Sequence, residues 1–175
     1  MLTRNFWKVF APLVGRYQAG STEVSVKLIN GNNLSATVYG ASNMPYTLLS
    51  AMCIPWNNAE IGNWFGTWYG TGTTPATMDD YKLANPITDT SITGRSGSKA
   101  MVITLDADGV RYSAPHSLTN TTSNDIVIGE IGCFGQVDGS KSSFLLDRTV
   151  LETPVVVPAG KTVAMEYVIK FPYGT

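Results

Sequence analysis

Asp79 and Asp80 are the only adjacent acidic pair in the chain, and paired carboxylates are the usual machinery of general acid–base chemistry. In an extended segment, however, neighbouring side chains point to opposite sides, so this pair does not present two carboxylates to one bond. Asp106 and Asp108 do share a side and precede Gly109, which resembles part of a calcium loop. The full D-x-[DN]-x-[DN]-G spacing is absent, and solvated turn carboxylates are the expectation. His116, the sole histidine, follows Pro115 and lies between Ser113 and Ser117. A Ser-His-Asp arrangement is recognised by geometry, but no G-x-S-x-G elbow accompanies it, and a surface histidine in a loop is expected. Gly70-x-Gly72 lacks the third glycine and the strand-to-helix setting of a dinucleotide site. Cys53 and Cys133 sit in apolar runs, as buried thiols do; a disulfide would require their strands to meet in an oxidising compartment. No zinc spacing occurs. These residues lead us to expect no enzyme activity, no metal and no cofactor.

Trp56, Trp64, Trp68 and Tyr69 are the richest cluster of large aromatics in the chain. Such rings can stack on sugars, which makes them a candidate ligand platform and a carbohydrate- or receptor-binding module the alternative reading. Their commoner use is to fill a sandwich core, and that is the expectation here.

The elements that must position these residues are strands. With 175 residues, 17 Gly, 9 Pro and only 14% charged residues, the composition favours strand over helix. Glu23–Ile29 alternates, with Val24, Val26 and Leu28 on one face. Asn30-Gly31-Asn32-Asn33 turns the chain into a partner strand, Leu34–Tyr39. Tyr46–Ile54 is a continuous apolar run that leans towards strand. Ala100–Leu105 and Gly109–Ser113 pair across Asp106–Gly109, where Asp108-Gly109 would supply a positive φ. Ser117–Asp125 reads as a polar loop, and Ile126–Ile131 returns to alternation. Phe144–Leu151 and Val155–Val157 read as strands separated by Pro154. After the Pro158-Ala159-Gly160-Lys161 turn, Val163–Phe171 lines one face with Val163, Met165, Tyr167, Ile169 and Phe171. The fold class expected is all-β, an antiparallel β-sandwich or jelly roll over residues 21–175.

Residues 1–20 read differently. Phe6, Phe10 and Leu13 recur at helical spacing behind a possible Thr3 cap, and Pro12 limits any helix to about two turns. So short an apolar stripe is marginal alone, which makes it a candidate assembly contact on an N-terminal helical or extended arm. Met1–Gly15 lacks a signal-peptide core and cleavage site. No run approaches the roughly 18 apolar residues of a membrane span. A net charge of −1 without any basic block argues against nucleic acid as a direct partner.

Three segments carry a resemblance: Gly70–Ile87 (GTGTTPATMDDYKLANPI), Glu130–Gly135 (EIGCFG) and Phe144–Phe171 (FLLDRTVLETPVVVPAGKTVAMEYVIKF). In this order, from about Tyr69 to the C-terminus, they resemble small virion structural proteins of tailed bacteriophages and prophages. The resemblance implies a non-enzymatic protein made in the host bacterial cytoplasm and built into the virion as a capsid decoration, fibre-anchoring or neck- or tail-associated component. Its implied partners are copies of itself and other virion proteins, with no direct nucleic acid and no membrane. A host glycan is the partner under the alternative reading.

Overall fold

Period-two alternation sets the architecture. In the computed structural model, which describes residues 1–6, 21–39, 66–88, 91–95, 102–137 and 142–173, β1 (Ser21–Lys27) and β2 (Asn33–Tyr39) pair antiparallel, with Lys27 opposite Asn33. Gly31 takes φ +88° in the connecting turn, a conformation that glycine adopts without steric cost. Val26 and Leu28 are buried together, as the alternation predicts. Tyr46–Ile54 lies outside the described residues.

The second sheet has the order β3 (Gly66–Gly70), β7 (Ile126–Val137), β8 (Ser142–Val157). The third is centred on β6 (Gly109–Asn120), which pairs along one edge with β9 (Thr162–Pro172). Its other edge pairs first with β5 (Val102–Asp106) and then with β4 (Ile92–Arg95). All pairings are antiparallel, and the chain is all-β and sandwich-like. The main core joins the sheets through Val26 and Leu28, Tyr69, Ile128 and Ile131, Phe144 and Leu146, and Leu118, Tyr167 and Ile169. Val163, Met165 and Phe171 pack against it, so β9 presents the face its alternation predicts.

Three expectations need correction. β6 does not end at Ser113: it continues through Pro115 and His116 to Asn120, turning Ser117–Asn120 from expected loop into strand. Pro115 is tolerated because it falls between the β5 ladder, which ends at Ser113, and the β4 ladder, which begins at Ser117. β8 is continuous through Pro154. The proline sits where the β7–β8 register shifts, between the Glu130–Val150 and Ile128–Val155 pairs, so no regular ladder bond is lost. Gly109 has no positive φ. It is required because a Cβ there would lie 2.5 Å from the Phe171 carbonyl oxygen.

Sheet β3-β7-β8 is buried on both faces along β3 and the adjoining parts of β7 and β8, while the ends carrying Val127 and Val156 are exposed. Tyr69, Ile131, Cys133 and Phe144 point into the sandwich, while Trp68, Phe134 and Leu145 form a second cluster capped by Leu83. A bulge between Cys133 and Phe134 sets both Leu146 and Asp147 against the single step on β7. The segment from Gly70 to Ile87, rich in Gly, Thr, Pro and Asp, covers this outer face as an irregular loop. It leaves β3 and returns to it, closed by Thr71 N to Asn85 O (2.9 Å) and Ile87 N to Tyr69 O (2.9 Å).

Candidate functional site

The loop is fastened by a glutamate and an arginine buried in the second sheet. Glu130 projects from β7 and Arg148 from β8 onto the loop side of the sheet, and they are 0% and 2% exposed. Arg148 Nε donates to Glu130 Oε2 at 2.7 Å, its Nη1 to Asp80 Oδ2 at 2.8 Å and its Nη2 to the Thr74 carbonyl at 2.9 Å. Glu130 also accepts from the backbone N–H groups of Ala84 (3.1 Å) and Asn85 (2.7 Å). Charge-assisted bonds of this kind are about twice as strong as neutral ones.

The two glycines of the GTG stretch make room for the carboxylate. A Cβ at Gly70 or Gly72 would lie 2.5 or 2.4 Å from Glu130 Oε1, closer than any side chain can sit. The Gly70-x-Gly72 motif therefore cradles a side chain of its own protein. With both carboxylate oxygens engaged by Arg148, Ala84 N and Asn85 N, the arrangement fastens the loop to the sheet as a lock.

Asp80 serves the lock from the loop. It accepts from Thr77 N (2.8 Å) and Thr77 Oγ1 (2.9 Å) as well as from Arg148. Burial alone would raise its pKa, but the bonds from Thr77 and Arg148 and the Arg148 charge outweigh that and hold it below the usual carboxylate range. Asp79 points outward to an exposed ion pair with Arg4. The two carboxylates thus diverge, as expected for neighbours, with Asp79 exposed and Asp80 tied to Arg148.

Two further polar contacts cross the sandwich. The Tyr69 hydroxyl and His116 Nδ1 are hydrogen-bonded at 2.6 Å between β3 and β6. The Tyr167 hydroxyl donates to Asp147 Oδ2 at 2.6 Å between β9 and β8. Burial raises the pKa of both phenols, and at Tyr167 the Asp147 carboxylate adds to the rise. His116 is accordingly corrected from a surface loop residue to a buried strand residue, 3% exposed. Asp106 and Asp108 are occupied by Arg111 and Lys170 on the outer face of the third sheet. Among the described residues no three His, Cys, Asp or Glu side chains converge as metal ligands would.

Comparison with known protein families, curated proteins and solved structures gave no match. The residues themselves carry the argument.

The other sequence candidates are placed as follows. Trp68 and Tyr69, 6% and 8% exposed, face opposite sides of β3 and fill the two cores, so they form no common platform. Trp56 and Trp64 lie outside the described residues. Phe6 is 1% exposed and stacks on Phe171 at 5.9 Å between ring centroids. It belongs to the chain's own core and is unavailable as an outward contact. Residues 1–6 run along β8, with Thr3 N bonded to Leu146 O (2.9 Å) and Arg148 N to Met1 O (3.0 Å). Thr3 Oγ1 accepts from Phe6 N at 3.4 Å, the expected cap. Phe10, Leu13 and Cys53 lie outside the described residues, while Cys133 is buried facing the sandwich. Sequence reasoning singled out neither Glu130 nor Arg148. The available signal was the isolation of Glu130 within an apolar strand, since unpaired charges are almost never fully buried; Arg148 follows Asp147 and carries no such signal.

Proposed function

We propose that this chain is a non-enzymatic structural component of a tailed-phage virion that works through protein–protein contacts. The observation that carries the reading is the meeting point of the three resemblance segments. Gly70, Gly72, Asp80 and Leu83 from the first, Glu130 from the second and Arg148 from the third close on one another in a single buried lock. Motifs that secure a loop to a sheet suit a shell or tail component, whose task is to hold a surface in shape. The chemical candidates, meanwhile, are spent on internal pairs.

The contact surface we assign is β5. Val102, Ile103 and Leu105 are 53%, 55% and 75% exposed, and among the described residues the strand pairs only with β6. An exposed apolar edge strand is a template for pairing with another chain. The test is to locate the protein in purified particles by labelling, and to compare Leu105→Glu with the parent. The variant is expected to melt as the parent does and to be depleted from particles. Absence of the parent protein from particles, or normal incorporation of the variant, would overturn the reading.

A further inference from the structure

A cleft of about 270 Å³ opens where residues 1–6, the β1–β2 hairpin and the loop turn meet. It is lined by Arg4, Asn5, Lys27, Asn33, Asp79 and Tyr81, among others. Its volume is near the lower limit of small-molecule sites. Most of its charges are already matched: Arg4 with Asp79, and Asp80 with Arg148. Lys27 is the exception. Its Nζ lies 4.3 Å from the centroid of the Tyr81 ring, and no carboxylate among the described residues is within ion-pair distance. Lys82 approaches the same ring at 5.7 Å.

Lys27 is also held firmly. Asn5, 3% exposed, accepts from Lys27 N at 2.8 Å and donates to Lys27 O at 2.7 Å. The backbone is thereby fixed on both its polar groups, while the ammonium sits over an aromatic ring, an arrangement that favours a cation. Directly across the hairpin is Asn33. Among the described residues neither its side-chain amide nor the Tyr81 hydroxyl is engaged by another group. A positioned, uncompensated ammonium beside an amide and a phenol in a wet cleft matches an anion that also carries hydroxyl groups.

We propose that this cleft binds a small hydroxylated anion, a carboxylate or phosphate on a monosaccharide-sized molecule, recognised by Lys27 with Asn33 and Tyr81 as hydrogen-bonding partners. The inference is independent of a place in a virion. The experiment is a nuclear magnetic resonance titration of the full chain, following Lys27 and Tyr81 side-chain signals, with glucuronate, glucose 6-phosphate, glucose and inorganic phosphate as probes. One charge-assisted contact with a small ligand in an open cleft suits a dissociation constant on the order of 1 mM. Saturable shifts with glucuronate or glucose 6-phosphate, at least about tenfold weaker with glucose and with inorganic phosphate, are the result expected. Which of the two anions binds more tightly assigns the group as carboxylate or phosphate. Lys27→Met keeps an unbranched apolar side chain without the ammonium, and Asn33→Asp sets a carboxylate opposite Lys27 across the hairpin. Each is expected to melt as the parent does and to lose binding by about tenfold or more. Absence of shifts with both sugar anions, equal binding of glucose or of inorganic phosphate, or unchanged binding in a folded Lys27→Met protein would each overturn the proposal.

Discussion

Replacing Arg148 by Met tests whether the lock holds the loop to the sheet. The substitution keeps an unbranched stem but removes the donors to Glu130 (2.7 Å), Asp80 (2.8 Å) and the Thr74 carbonyl (2.9 Å). Glu130 keeps its bonds from Ala84 N and Asn85 N, but its fully buried charge loses the cation paired with it among the described residues. Breaking a buried pair by removing one partner costs about 3–5 kcal/mol, because the surviving charge is left uncompensated. For a chain of this length that corresponds to a fall in melting temperature of roughly 6–20 °C. Urea unfolding should give the free energy, and limited proteolysis should show cleavage within residues 71–85 well before the parent is cut. Adding Glu130→Gln to Arg148→Met removes the stranded charge. Although the amide satisfies only one of the two backbone N–H groups, the double variant is expected to recover at least about 1 kcal/mol over the single one. A single variant within about 0.5 kcal/mol of the parent, or a double variant less stable than the single, would refute this account of the lock.

Two titration predictions concern Asp80 of the lock and the two buried phenols that cross the sandwich. Asp80 has a depressed pKa in the folded state, so its contribution is present above the unfolded carboxylate value near 3.9 and is lost as pH falls through the lower folded value; Asp80→Asn should flatten this acid limb in urea melts taken from about pH 5 downward. Tyr69 and Tyr167 have raised pKa values, so their contribution is present below the unfolded phenol value near 10 and is lost as pH rises beyond it. Phenolate absorbance should therefore include a fraction that appears only with unfolding, and Tyr69→Phe should make that fraction smaller; complete reversible titration of all tyrosines in the folded protein would count against the cross-sandwich pairs.

The hairpin of β1 and β2 and the inner face of β9 were legible in the sequence because each signal is local. Alternation fixes the face, and turn residues such as Asn30-Gly31 fix the ends. The continuity of β6 and β8 was not legible, because a proline reads locally as a strand breaker. Pro115 is acceptable only because two different strands happen to leave a gap beside it, and Pro154 only because β7 and β8 shift register there. His116 was misread for the same reason: once Pro115 is taken as the end of a strand, the histidine falls into a loop. These are decisions made by partner strands, and no local window contains them.

The lock shows where sequence reasoning can be extended. Arg148 meets Glu130 across 18 residues and Asp80 across 68, and no periodicity encodes such a pairing. A lone charge in the middle of an apolar strand is nonetheless a constraint, because burying it unpaired would cost several kcal/mol. Glu130 within an Ile-Gly-Glu-Ile-Gly run therefore demands a cation, and the shortage of charge in the chain narrows the choice. Arg148 follows Asp147, and only the structure shows that Asp147 is taken by Tyr167 while Arg148 turns to Glu130. The same logic explains the glycines. A buried carboxylate that needs two backbone N–H groups must lie against a main chain, and only residues without a Cβ allow that approach at Gly70 and Gly72. The GTG stretch and the glutamate are thus one structural statement written in two places, sixty residues apart. A Gly72→Ala substitution bears on it directly: a loop that kept its protection from proteolysis with that Cβ in place would show that the carboxylate does not occupy the cradle.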